Sequence, residues 1–266
     1  MKLMCLSALL LSSVTAQSVA PPATKQSGAR PGILLLAHGG AAEWNDNALA
    51  IARVVDAGHP TEIAFGMATR ANIQGAVDRL AARGATEIVA VPMFVSSHSS
   101  VVRATEYLLG LRKDAPPELA RFAKMSHGPA VASGSGASGH ANHGGAAGAT
   151  DGTHPIVSTL PIRMTPALDG HPLLGAIVAD RARSISTAPA REAVILVAHG
   201  PVGEEDNGRW LADMRGLAGH VKGYASVDVL SLRDDAPAPV REEATASLRP
   251  MVTEARAAGG DVLIVP

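Results

Sequence analysis

Two kinds of hydrophobic pattern alternate along this chain. Ile33-Leu34-Leu35-Leu36-Ala37 is a continuous apolar run of strand length, and Ile88-Val89-Ala90-Val91 within 87–95 is another. Unbroken apolar runs suit parallel strands covered on both faces, whereas a half-solvated strand alternates. Between them the pattern is helical. A stretch over about 48–57 follows the first run, and Glu62 to Met67 makes a second short strand. Ile73 to Arg83 then reads as an amphipathic helix closed by Gly84. Short buried strands alternating with helices of about ten residues predict a doubly wound parallel α/β sheet.

The pattern then repeats. Ile33-Leu34-Leu35-Leu36-Ala37-His38-Gly39-Gly40 returns as Val194-Ile195-Leu196-Val197-Ala198-His199-Gly200-Pro201. Glu87-Ile88-Val89-Ala90-Val91-Pro92 returns as Asp261-Val262-Leu263-Ile264-Val265-Pro266. A self-similar chain of this kind predicts two similar doubly wound parallel-sheet lobes. Their strand ends would face a common cleft, the place where open α/β sheets bind ligands. The second repeat stops on its apolar strand, so its lobe reads as truncated.

Between the repeats the character changes. Residues 126–154 are dominated by Gly, Ala, Ser and His and bury too little apolar surface to offset their ordering entropy, which predicts a disordered linker. His127, His140, His143 and His154 there either gather metal weakly or belong to a solvated tether. At the other end, Lys2, the apolar Leu6 to Val14 and the small residues Val14-Thr15-Ala16 read as a signal peptide, 1–16. A flexible lead-in of Ala, Pro, Ser and Gln follows over 17–31. The expected organisation is therefore signal peptide 1–16, lead-in 17–31, first lobe 32–125, linker 126–154 and second lobe 155–266. Export, to a periplasm, is the expected location, with membrane contact only through an uncleaved signal segment.

Composition narrows the chemistry. The single cysteine, Cys5, lies in the signal segment, so neither disulfides nor thiolate ligands are available to the mature chain. With a formal net charge of −1 and no basic stripe interleaved with aromatics, nucleic acid is a poor partner. Ten histidines point instead to metal chemistry, because neutral imidazole ligates divalent transition ions.

His38 and His98 are the leading candidates. His38 follows a buried strand directly and precedes Gly39-Gly40, where the chain must turn. His98 follows the next strand, in Pro92-Met93-Phe94-Val95-Ser96-Ser97-His98, ahead of a helical run from Val101 to Leu109. Both imidazoles belong at the sheet's carboxyl edge. If their strands are neighbours, they converge on one ion with coordination positions left open, as transfer or catalysis requires. The competing reading of either histidine is a structural hydrogen-bonder.

Leu35-Leu36-Ala37-His38-Gly39-Gly40 with Trp44-Asn45 beyond it resembles the opening strand and histidine turn of the class II tetrapyrrole chelatases, the sirohydrochlorin chelatases of CbiX/SirB type. Val91-Pro92-Met93-Phe94-Val95 running into His98 is similar to the family's second signature. The resemblance covers roughly 32–112 well and 192–266 more weakly. It implies a chelatase-like lyase that inserts Co²⁺, Fe²⁺ or Ni²⁺, itself a substrate, into a tetrapyrrole with no organic cofactor. His38 and His98 would hold the ion and help remove pyrrole protons.

The family's acidic residue at the end of the second strand has no match, since Met67 stands there, and Ser96-Ser97 replaces the usual glycine before His98. Glu43 is the expected substitute carboxylate. His199 is read as a relic or a substrate-side contact, and Glu204-Glu205-Asp206 as a solvated acidic loop. Arg103, with Arg70 and Arg233, is a candidate for pairing with substrate carboxylates. The rival function is an exported metal- or tetrapyrrole-binding protein of the same fold without turnover. The sequence leaves the oligomeric state open.

Overall fold

The computed structural model describes residues 28–124, 152–257 and 260–266. Among them lie two α/β lobes. The first contains β1 (Pro31–Ala37), α1 (Ala42–Asp56), β2 (Thr61–Phe65), α2 (Arg70–Ala82), β3 (Glu87–Pro92), α3 (Ser100–Leu108), α4 (Leu119–Lys124) and β4 (Ile162–Met164). Its four strands are parallel in the order β2-β1-β3-β4. The second contains β5 (Ala193–Ala198), α6 (Glu204–Ala218), β6 (Ser226–Ser231), α7 (Ala238–Ala257) and β7 (Val262–Val265), parallel in the order β6-β5-β7. Helix α5 (Pro172–Ile185) joins the two lobes.

The continuous apolar run of β1 has a direct cause. Leu34 and Leu36 point to one face of the sheet, against Ile73, Val77 and Leu80 of α2 and Val102 and Leu108 of α3. Leu35 and Ala37 point to the other, against Ala48 and Ala52 of α1. A central strand covered on both sides leaves no position for a polar residue. β5 occupies the same central place, with Val194 and Leu196 packed on Trp210 and Met214 of α6 and on Ala179 and Ala182 of α5. The two lobes thus have the same strand order around a central strand that ends in Ala-His-Gly, as the repeat predicts.

The expected lobe boundary at 155 moves. Residues 152–169 belong to the first lobe: β4 pairs with β3, and the backbone N–H groups of Leu168 and Asp169 donate to the carbonyls of Phe94 and Val95. Only at α5 does the chain pass to the second lobe, where Ala179 and Ala182 enter its core. The short β4, Ile162-Arg163-Met164, carries too few apolar residues to stand out as a strand. The stretch expected to be a signal peptide, 1–16, and most of the expected lead-in and linker lie outside the described residues. Among the described residues, no helix is long and apolar enough to cross a membrane.

Ion pairs close the seam between the lobes. Arg103 of α3 bonds Asp206 of α6, and Arg121 of α4 holds Asp235 in the loop after β6. His98 faces Asp213 of α6, with Nε2 3.8 Å from Oδ2.

Candidate active site

A cavity of about 570 Å³ lies between the lobes, at the carboxyl ends of their strands. Its walls are largely apolar: Met67, Phe94 and Val95 from the first lobe, Leu174 and Val178 from α5, and Trp210 and Met214 from the second lobe. That size and character suit an organic ligand in a few-hundred-Å³ cleft carrying few polar groups. His38 and His199 both reach it, one from each lobe.

The two histidines owe their positions to one local device. Each ends a central strand and is followed by a glycine at positive φ, +80° at Gly39 and +76° at Gly200. Such a backbone turns the chain away from the sheet and leaves the preceding imidazole at its edge. Gly39 lies beside Phe65, and Gly200 beside Ser231, so each turn is lodged against the end of the neighbouring strand. In the first lobe, Asn45 then clips the turn, its Oδ1 accepting from Gly40 N at 2.9 Å and its Nδ2 donating to Gly40 O at 3.1 Å. Trp44 meets Phe65 edge to face at 6.4 Å. Trp44 and Asn45 are therefore parts of the histidine turn.

The tautomer of His38 follows from its partner. Nδ1 lies 2.6 Å from the carbonyl oxygen of Gly39, which only accepts. In the neutral ring this contact puts the proton on Nδ1. His199 is set differently, with carboxylates on both nitrogens: Asp234 Oδ2 is 3.4 Å from Nδ1, and Asp235 Oδ2 is 3.0 Å from Nε2.

β1 and β3 are indeed hydrogen-bonded neighbours, which brings the elements carrying His38 and His98 together. Of the two, His38 lines the cleft. His98 is absent from its walls and turns to Asp213 at the lobe seam. Ser96-Ser97 accounts for this turn. Ser96 Oγ accepts from His98 N at 3.1 Å, while Ser97 N and Oγ donate to Asp169 at 2.6 and 2.7 Å. Asp213 has a carboxyl raised above the ordinary aspartate value, mainly by burial and further by the charge of Asp169, with His98 opposing.

Glu43 is exposed in the first turn of α1 and does not reach the cleft. Met67, just after β2, lines the cavity. Arg103 is a strut between the lobes through Asp206, and its substrate-binding reading gives way to that role. Arg70 donates to the carbonyls of His154 and Pro155, and buried Arg233 to those of Pro201 and Val202 and to Glu204. The stretch Glu204-Glu205-Asp206 is the first turn of α6, where carboxylates favour the helix dipole and meet Arg233, Arg209 and Arg103, instead of a solvated loop.

Sequence reasoning missed Asp234, Asp235 and Trp210. The signal was present in Ser231-Leu232-Arg233-Asp234-Asp235, which leaves the end of β6 as Phe65-Gly66-Met67-Ala68-Thr69 leaves the end of β2. Extending the repeat through the second strand of each lobe sets Asp234 and Asp235 against Ala68 and Thr69, just after Met67.

The family model for CbiX matches residues 32–185, more than half of the 266-residue chain. The chain belongs to the CbiX family. The match runs from the start of the first lobe to the end of α5, and the second lobe repeats its central strand order and histidine turn. A comparison with curated proteins gives no match. Among solved structures, a crystal structure from Deinococcus radiodurans is similar at 16% identity with a TM-score of 0.38. It is described as a multi-domain protein with structural similarity to chelatases and two additional novel domains. The alignment covers 90% of this chain and 51% of that one, so this CbiX-family chain spans about half of that protein's length.

Proposed function

We propose that this CbiX-family protein inserts a divalent ion, Co²⁺, Fe²⁺ or Ni²⁺, into a tetrapyrrole such as sirohydrochlorin bound between its lobes. One observation carries the reading: strand-end histidines from both lobes, His38 and His199, line one apolar cleft of about 570 Å³. Planar macrocycles bury apolar faces well against Met67, Phe94, Trp210 and Met214. Insertion exchanges two pyrrole N–H protons for one dication, so the site needs both a metal donor and a proton acceptor. His38, whose imidazole lines the cleft, is suited to accept a proton or to pass on an ion. His98 acts from the seam, holding the lobes at the spacing the macrocycle needs. An exported location for this activity is supported by the Lys2 to Ala16 stretch, read as a signal peptide.

Met67 favours a second reading. With that carboxylate position filled by a thioether, the fold also suits an exported protein that binds metal or tetrapyrrole without turnover. Mixing the purified protein with sirohydrochlorin and Co²⁺ and following the absorbance change separates the two. The enzyme gives a rate above the uncatalysed one that falls by about 10²-fold or more in His38→Ala. Stoichiometric binding at the uncatalysed rate identifies the binder. Binding of neither metal nor tetrapyrrole overturns both.

A further inference from the structure

Helix α3 opens onto the cleft. Ser96, Ser99, Ser100 and Val101 all line it, and Trp210 of α6 lines it from the second lobe. We propose that the first turn of α3, with the Ser99 and Ser100 hydroxyls and the Trp210 indole N–H, binds a carboxylate carried on the edge of the organic ligand. The proposal rests on the macrocycle reading of the cleft and adds the subsite that selects which edge of the ring is held.

A helix leaves the N–H groups of its first turn without intrahelical acceptors. In α3, Val102 N donates to Ser99 Oγ at 3.3 Å, while the N–H groups of Ser100 and Val101 have no acceptor among the described residues. They stand at the positive end of the helix dipole, where an anion is favoured. Ser99 uses its oxygen on Val102, which leaves its hydroxyl proton free to donate. Ser100 is 6% exposed and lines the cavity, and among the described residues its hydroxyl has no hydrogen-bond partner.

Trp210 adds a donor from a different element. It is 8% exposed, and its Nε1 is buried with no acceptor. A buried donor without a partner destabilises the empty wall, and a ligand oxygen relieves it. The Arg103–Asp206 ion pair ties the two elements together, since Arg103 lies one turn into α3 from Ser99 and Asp206 one turn before Trp210 in α6. Nearby carboxylates already have partners: Asp206 has Arg103, Asp169 has Ser97, and Asp235 has Arg121. The acceptor these donors lack therefore comes from the ligand. Met67, Phe94, Leu174, Val178 and Met214 make the other walls apolar, so the acid sits on a largely apolar body. A carboxylate at the rim of a planar macrocycle has that form. Holding it fixes the ring's rotation in its own plane, which apolar walls leave free.

Titration of the full chain with sirohydrochlorin and with its methyl ester, followed by absorbance and without metal, tests this. The readout is the ratio of the two affinities, because the ester keeps the ring and removes the charge. Ser100→Ala and Trp210→Phe are each expected to weaken acid binding by about 10-fold and to leave ester binding unchanged. Ser100→Asp sets a carboxylate in the helix's first turn, which suits the helix and repels the ligand's acid. It is expected to bind the acid at least about 10-fold more weakly than wild type, again with the ester unchanged. Circular dichroism confirms folding, and the two Ser100 variants carry the test if Trp210→Phe misfolds. Acid binding that is the same in wild type, Ser100→Ala and Ser100→Asp overturns the subsite and leaves the macrocycle reading intact. So does an equal fall in acid and ester binding, which assigns these residues to packing. Binding of neither compound by wild type ends the macrocycle reading itself, and the subsite with it.

Discussion

Asp213 of α6 faces His98 of the first lobe, Oδ2 to Nε2 at 3.8 Å, and that contact draws His98 to the seam between the lobes. Its energetics are those of a carboxylate under strain. Burial and the neighbouring Asp169 raise the Asp213 carboxyl above its ordinary value, and the Oδ2 atom is buried without a hydrogen bond. A carboxyl whose folded pKa exceeds its unfolded one favours folding below the unfolded value, 3.8, and loses that contribution as pH rises through the folded value. At neutral pH the ionised group is therefore a cost.

Asp213→Asn is accordingly expected to stabilise the protein at pH 7, by about 2–4 °C in Tm for an effect on the order of 1 kcal/mol. The gain should shrink as pH falls towards 4. His98→Ala should lower Tm in the wild type and do less in the Asp213→Asn background. Thermal melts of the two single variants and the double variant at pH 7 and pH 4 check this. A lower Tm for Asp213→Asn at pH 7 would mean that the contact with His98 outweighs the burial of its partner.

How far the sequence reached depends on what each feature needs. The sheets were legible because a central parallel strand must be apolar on both faces, and β1 and β5 announce this in Leu34-Leu35-Leu36 and Ile195-Leu196-Val197. The repeat gave the lobes, and His38 and His199 came with it. The orientation of His98 did not. Strand adjacency brings His98 near the carboxyl edge, but Ser96, Ser97 and Asp169 decide where it points, and Asp169 is 72 residues from Ser97 in sequence. Arg103 fails for the same reason: its partner Asp206 is 103 residues away and belongs to the other lobe. Asp235 was within reach of the repeat, had the comparison been carried from the first strand of each lobe to the second.

Glu192 gives an acid limb of opposite sign. Its carboxylate, buried just before β5, accepts from Ser186 Oγ, from the backbone N–H groups of Thr187 and Ala188 at 2.9 Å each, and from Thr187 Oγ1 at 3.1 Å. The Ser186 hydrogen bond leads these in lowering its pKa from the usual 4.5 to about 2. A depressed folded pKa contributes stability that is present above the unfolded value and lost as pH falls from about 4.5 towards 2. Glu192→Gln should therefore lower Tm at pH 7, with the gap to wild type closing by pH 2.5. A gap that stays constant across that range would assign the loss to packing instead.

The two histidine turns make the last prediction, because they share a backbone conformation and differ in space. An alanine at either Gly39 or Gly200 must adopt φ near +80°, at roughly 1 kcal/mol. At Gly39 the added Cβ would meet Phe65 Cβ at 3.4 Å, an ordinary contact. At Gly200 it would fall 1.8 Å from Ser231 Oγ and 3.2 Å from Arg233 N, forcing the end of β6 away. Gly39→Ala should thus cost about 1 kcal/mol and Gly200→Ala about 3 kcal/mol or more. Urea denaturation of the two variants measures both costs. Similar costs at the two glycines would mean that Ser231 yields its rotamer freely and that the β6 end is not locked against the His199 turn.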